Sequence, residues 1–204
     1  MVKLQANFMN KIERPKSKYI IPENAERVFK GAIFDVYQWE QKLYDGTTTI
    51  FEKLKRPDTV VIFPVLPDGK ILLLEQEQPG RSSFISTPGG RVDEGEDIID
   101  AAKREFHEET GYEAEEYILW DAQQPVAKIE WAVYTFIAKK LKKTAEPHPD
   151  AGEKIRPMPV SLEKLIDIAT NKNFSEREVV IKFLEAKYDD EKRKELERLF
   201  KPLE

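Results

Sequence analysis

The sequence predicts an α+β fold, and three observations carry that expectation. Runs of β-branched and aromatic residues fill most of the first half of the chain. One segment with helical spacing stands in the middle, and helix-like segments close the chain. Strands first and helices last is the order of an α+β domain. The 204 residues, 40% hydrophobic and 10% aromatic, suffice for one ordinary domain with a true core plus a small appendage.

Residues 1–30 are polar and broken by Pro15 and Pro22, which predicts an irregular lead-in. The stretch "AIFDVYQWEQKLYDGTTTIFEKLKR" reads as a hairpin, because aromatic and β-branched residues fill both arms and Asp45-Gly46 is a strong turn signal. A second hairpin follows, "TVVIFPVL" and "ILLLEQ" around the turn "PDGK", with runs apolar enough for burial on both faces. "EQPGRSSFISTPGG" reads as a loop with a short strand. Ile98, Ile99, Ala102 and Phe106 then recur at helical spacing, with acidic residues before them and Gly111 after, which predicts a helix over 96–110. "YILW" and "VAKIEWAVYTFIAKKL" read as further strands. "KKTAEPHPDAGEKIRP" reads as a polar loop long enough to be functional. "SLEKLIDIA", "SEREVVIKFLEAKY" and "DEKRKELERLF" look helical, each opening near a Ser or Asp cap.

The central helix carries a physical puzzle. Glu105, Glu108 and Glu109 crowd its C-terminal end, where negative charge meets the negative end of the helix dipole. Glu105 and Glu109 are also four apart, so they share a face and repel. Most acidic runs are simply solvated faces. A hard divalent cation, however, gives these carboxylates a purpose, since Mg²⁺ takes oxygen ligands from one or two carboxylates plus waters and substrate phosphates. Arg104 can fix one of them in a charge-assisted pair, and Gly89-Gly90 permits close backbone approach to the site.

Composition removes several alternatives. With no cysteine there is no disulfide framework, no cysteine nucleophile and no thiolate metal site, and two histidines are too few for a histidine-rich zinc site. The net charge of −5, with both signs interspersed, does not favour a nucleic-acid groove. The N-terminal stretch has no apolar core of signal-peptide length, and no apolar run is long enough for a bilayer. A cytoplasmic protein with no membrane partner is expected.

The spacing sharpens the puzzle into a family resemblance. Gly90 is followed after five residues by Glu96, then after seven by Arg104-Glu105. Phe106, Glu108-Glu109, Gly111 and Tyr112 complete the pattern. This resembles the signature of the Nudix hydrolases at every fixed position. The resemblance implies a Nudix α/β/α sandwich with a mixed sheet, preceded by a small N-terminal antiparallel β-sheet. It implies that Glu105, Glu109 and the backbone carbonyl at Gly89 hold Mg²⁺ or Mn²⁺, with Glu108 supporting further metal and Arg104 beside them. The implied reaction is hydrolysis of a nucleoside diphosphate linked to another group.

Over residues 30–160 the chain is further similar to the ADP-ribose pyrophosphatase subgroup. That implies an N-terminal sheet region (1–57) and a Nudix domain (58–204), in a homodimer whose N-terminal strands help form the partner's adenine pocket. Phe51 matches the aromatic residue that stacks on the base, followed by Glu52 and Arg56. A mobile loop supplies the general base in that subgroup, here Glu153, with Glu146 and Asp150 as the alternatives. Two departures bear on the substrate. Gln78 stands where the subgroup has a substrate-contacting Arg, leaving Arg81 to restore the positive charge, and Ser86 stands where it has a Glu. A nucleotide-sugar or oxidised-dNTP diphosphatase is the alternative, and a non-catalytic nucleotide-sensing Nudix module is the alternative of another class.

Overall fold

The alternation of one short strand decides the layering. In Thr59–Pro64 (β4), Val60 and Ile62 turn to one side and Val61 and Phe63 to the other, and all four are buried. A strand apolar on both faces requires cover on both. The computed structural model, which describes residues 12–148, 152–171 and 173–203, supplies it.

The first three strands are β1 (Glu26–Lys30), β2 (Asp35–Lys42) and β3 (Thr48–Lys55). Next to β4 in sequence come β5 (Ile71–Gln78), β6 (Arg81–Ser86) and β7 (Gly89–Arg91). Helix α1 (Ile98–Thr110) precedes β8 (Tyr112–Gln123), β9 (Ile129–Glu130), β10 (Val133–Lys143) and β11 (Lys154–Val160). Helices α2 (Leu162–Ala169), α3 (Val180–Tyr188) and α4 (Asp190–Leu199) follow, with a 3-10 turn at Arg177–Val179 before α3.

A mixed sheet in the order β7-β4-β10-β8 forms the middle layer, with β4 and β10 parallel. Val60, Ile62, Tyr134, Phe136 and Ala138 face α1 through Ala101, Ala102 and Phe106. Val61, Phe63, Val133 and Ile137 face α2, α3 and α4. On that side Phe63, Trp120, Phe183 and Phe200 pack with ring centroids 5.6–5.9 Å apart, most of them edge to face, the favoured aromatic geometry. The expected α/β/α layering is present.

Four local expectations are corrected. The lead-in contains β1, which pairs with β2. The N-terminal sheet, β1-β2-β3-β9, is antiparallel only through its first three strands, since β9 joins β3 in parallel from beyond residue 57. The second hairpin opens apart: β4 and β5 share one bridge, Val65 to Ile71, and then join different sheets. Finally, the polar loop ends in a strand, β11, on the edge of the sheet β11-β5-β6. Pro157 and Pro159 lie two apart on that edge strand, so their missing N–H groups fall on one side, the open one.

The N-terminal sheet is tied to the domain by buried charge. Lys53, 1% exposed, donates to Ser17 Oγ at 2.6 Å, to Glu130 at 2.6 Å and to the Tyr19 carbonyl. Arg14 bridges Glu130 at 2.5 Å and Asp58 at 2.8 Å. Breaking one partner of such a network strands a buried charge, which is why it fixes the relative placement of its segments.

Candidate active site

Helix α1 begins where the sequence caps it. The Asp97 side chain accepts from the Ile99 N–H at 2.9 Å, and Glu96 accepts from the Asp93 N–H at 3.0 Å. It stops at Gly111, in the left-handed region at φ 70°, where a Cβ would lie 2.0 Å from the Ala145 carbonyl oxygen. The chain leaving β10 crosses this end: the His148 N–H donates to the Glu108 carbonyl at 2.7 Å. The crowded C-terminal turn is thereby satisfied from outside.

Gly89 and Gly90 face the carboxylates. Gly89 has φ 152°, and a Cβ on it would stand 2.2 Å from the Val60 carbonyl oxygen. A Cβ on Gly90 would stand 2.4 Å from the Glu105 carboxylate. Only glycine fits at position 89, where the clash is with backbone, while a side chain at 90 would displace the Glu105 carboxylate from the site. Glu109, 8% exposed, accepts from the Gly89 N–H at 2.9 Å. Arg104 is gripped by both oxygens of Glu96 at 2.9 Å and donates to the Arg91 carbonyl, to Glu105 at 2.9 Å and to Glu108 at 3.3 Å. Its main partner is therefore Glu96, and it steadies Glu105 from that base.

The electrostatics mark this corner as charge-deficient. Burial pushes the Glu109 carboxyl up to about 8, against the Gly89 N–H, with Glu105, Glu153 and Glu176 adding to the rise. Burial also raises Glu105, opposed by Arg104. A buried and a half-buried carboxylate one turn apart, converging on a diglycine, are a hard-oxygen donor set that a divalent cation fits. Among the described residues, no three Asp, Glu, His or Cys side chains form a ready cage, so backbone or substrate oxygens have to complete any ligand set.

Glu153 sits just before β11, where Lys154 pairs with Glu77, and accepts from Gln78 Nε2 at 2.8 Å. It is thus held at the anchored edge of its loop. The two residues, with Arg81, Pro79 and Gly152, line a depression beside the corner. Arg81 donates to Ser175 Oγ at 3.1 Å and lies 3.3 Å from the Phe84 ring centroid. Glu146 is exposed and takes Lys143 at 3.0 Å, and Asp150 lies outside the described residues.

The proposed base-binding residues stand apart from this group. Phe51 packs on Trp39 at 6.2 Å, with Lys128 Nζ 5.0 Å from its ring centroid, and Glu52 accepts from Gln38 at 2.8 Å. None of these contacts reaches α1. Arg56 is nearer, its guanidinium against Trp131 at 4.8 Å and Phe34 at 5.7 Å, and close enough to Arg91 to feel its charge.

One residue with no signal in the sequence enters the corner. Ile85 bridges Phe174, and backbone hydrogen bonds from Ile85 to Asn173 and from Ser175 to Ile85 carry the segment after α2 alongside β6. This brings in Glu176, 9% exposed, whose carboxyl burial pushes up to about 8 although the Thr87 backbone N–H faces it.

A NUDIX domain model matches residues 55–183, more than half of the chain. The chain belongs to the Nudix family. Among its relatives, the ADP-ribose pyrophosphatase of Bacillus subtilis (strain 168) is 28% identical over 150 residues, 72% of this chain and 81% of that protein. The methanol dehydrogenase activator of Bacillus methanolicus is 28% identical over 160 residues, 76% and 86% of the two chains. The ADP compounds hydrolase NudE of Escherichia coli (strain K12) is 26% identical over 161 residues, 75% and 83%. A solved ADP compounds hydrolase superposes with a TM-score of 0.66 at 19% identity, over 90% of this chain and 98% of that one, a likeness of fold. The chain is a Nudix hydrolase similar to ADP-ribose pyrophosphatase and ADP compounds hydrolase relatives. No helix among its described residues is long and apolar enough to cross a membrane.

Nudix hydrolases generally use divalent metals, and the raised carboxyls give a test of that chemistry. A carboxyl whose pKa is raised in the folded state keeps a proton that the unfolded chain has released. Its contribution to stability is complete below the unfolded value of 4.5 and is lost as pH rises towards about 8. Glu96 and Glu130 are shifted downward and act below that window. The melting temperature in EDTA is therefore expected to fall as pH rises from about 5 to about 8, and a divalent cation to restore most at the upper end. A melting temperature in EDTA that climbs through this range contradicts the assignment.

Proposed function

We propose that this Nudix hydrolase cleaves the diphosphate bond of a nucleoside diphosphate linked to another group, with ADP-ribose, yielding AMP and ribose 5-phosphate, as its substrate. The observation that carries the reading is the convergence of half-buried Glu105 and buried Glu109 on Gly89-Gly90, with Glu153 beside them. Glu105, Glu109 and the Gly89 carbonyl would hold Mg²⁺ or Mn²⁺, with Glu108 at the rim. When bound there, such a cation would supply positive charge against the phosphates and activation of the attacking water. Glu153 accepts the proton of the attacking water as the new P–O bond forms, and the bridging P–O bond breaks with its electrons on the leaving phosphate. Arg104 keeps Glu105 aimed, while Arg81 and Arg56 offer cations to the phosphates.

Phe51 and Glu52 serve the adenine in this reading from a second copy of the chain, which makes residues 1–57 the dimerisation region and 58–204 the catalytic domain. Exposed Val28, Phe29, Ile33, Phe34 and Ile50 on and beside the N-terminal sheet support such an interface. Gln78, engaged with Glu153 where the subgroup has an Arg, is the departure that keeps a nucleotide sugar or other nucleoside diphosphate as the second reading. The intact glutamates argue against a purely sensing module.

The expected result is metal-dependent release of AMP and ribose 5-phosphate from ADP-ribose by a sedimenting dimer. Faster turnover of a nucleotide sugar in the same panel moves the assignment to that substrate. No hydrolysis of any diphosphate removes it, and a monomer at micromolar concentration removes the shared pocket.

A further inference from the structure

The Thr87-Pro88-Gly89 corner has two backbone N–H groups, because Pro88 has none, and a buried carboxylate stands at each. Glu109 accepts from Gly89 at 2.9 Å, and Glu176 faces Thr87. The Pro88 carbonyl accepts from Ile62 at 2.8 Å. The corner still leaves oxygens unpartnered: among the described residues, Glu176 Oε2 and Thr87 Oγ1 are buried without a hydrogen-bond partner. Buried polar atoms are nearly always bonded to protein or to ordered water, so these two await a donor. The groups facing Glu176 are Glu109, Glu178 and Arg81, and none of them donates to Oε2.

We propose that Glu176 is a positioning residue of the metal centre: by accepting the Thr87 N–H it pins the corner that presents Gly89, and with Thr87 Oγ1 it would take hydrogen bonds from water ordered around a bound cation. This rests on the metal-dependent reading of the site given above. Partners of this outer kind orient ligands and typically change metal affinity by about 10–100-fold. Glu176 reaches the corner from the far side of α2, so the C-terminal segment contributes to a centre otherwise built on α1 and β7.

The test uses the full chain and Mn²⁺ alone as probe, with binding followed by electron paramagnetic resonance. Glu176→Gln is expected to weaken Mn²⁺ by about 10-fold or more, and to lower kcat with little change in KM, while melting in EDTA is unchanged or higher. Glu176→Asp, which keeps a carboxyl at the position, should recover part of the loss. Mn²⁺ affinity within twofold of the unsubstituted protein in Glu176→Gln overturns the proposal. Should that variant not fold, Thr87→Val keeps the shape and removes Oγ1; it should weaken Mn²⁺ severalfold, and unchanged affinity there overturns the proposal equally. Glu109→Gln is the control. If it also binds Mn²⁺ normally, the metal reading itself falls; if it loses Mn²⁺ while Glu176→Gln does not, only the role of Glu176 falls.

Discussion

Replacing Glu109 with Gln is expected to cut hydrolysis by about 10²–10³-fold or more, the scale set by losing one preorganised charge interaction at a transition state. The same change should raise the melting temperature in EDTA. Glu109 is buried, its carboxyl is pushed up to about 8, and Glu105, Glu153 and Glu176 all bear on it. A neutral amide of the same shape relieves that burial and repulsion while still accepting from Gly89. The two shifts have opposite sign, so misfolding cannot imitate them. Steady-state rates with Mg²⁺ and thermal melts at neutral pH decide the matter, and full activity in the variant excludes the metal site.

Glu153→Gln should lose about 10²–10⁴-fold in turnover near pH 7, the usual cost of removing a general base. Substrate and metal affinity should hold, because the proposed metal ligands lie on α1 and β7 while Glu153 precedes β11. Raising the pH should recover part of the rate as hydroxide replaces the assisted water. If Glu153→Gln turns over normally while Glu146→Gln or Asp150→Asn is dead, the base is that other residue. If all three retain activity, Glu108 becomes the base.

Much of this was legible in the sequence because it is local. The caps of α1, the diglycine and the spacing of Glu105 and Glu109 all fall within one short segment, so periodicity and turn chemistry suffice to read them. The layering was legible too, since the apolar runs of β4 and β10 require cover on both faces. What escaped depends on distant pairing. Pro157 and Pro159 hid β11, whose edge position is set only by β5. Glu176 is one of 38 acidic residues, and nothing near it in the sequence distinguishes it. The bridge from Ile85 to Phe174 brings it to the corner. The partner of Arg104 was half legible: Glu96 stood in the motif, but its grip on the guanidinium needed the folded geometry.

The single bridge between β4 and β5 has a mechanical consequence. The two strands meet at Val65 and Ile71 and diverge into separate sheets, like covers joined at a spine. The glycine corner pairs with β4 well away from the spine, and the Gln78–Glu153 pair hangs at the far end of β5. The carboxylates of α1 and the proposed base therefore ride on opposite covers. β6, paired with β5, runs through Thr87 and Pro88 straight into β7, paired with β4, so the covers are stitched a second time at the glycine corner. The two halves of the chemistry are therefore held by a tie at each end, and substitutions near Val65 and Ile71 loosen only the one remote from the reacting atoms.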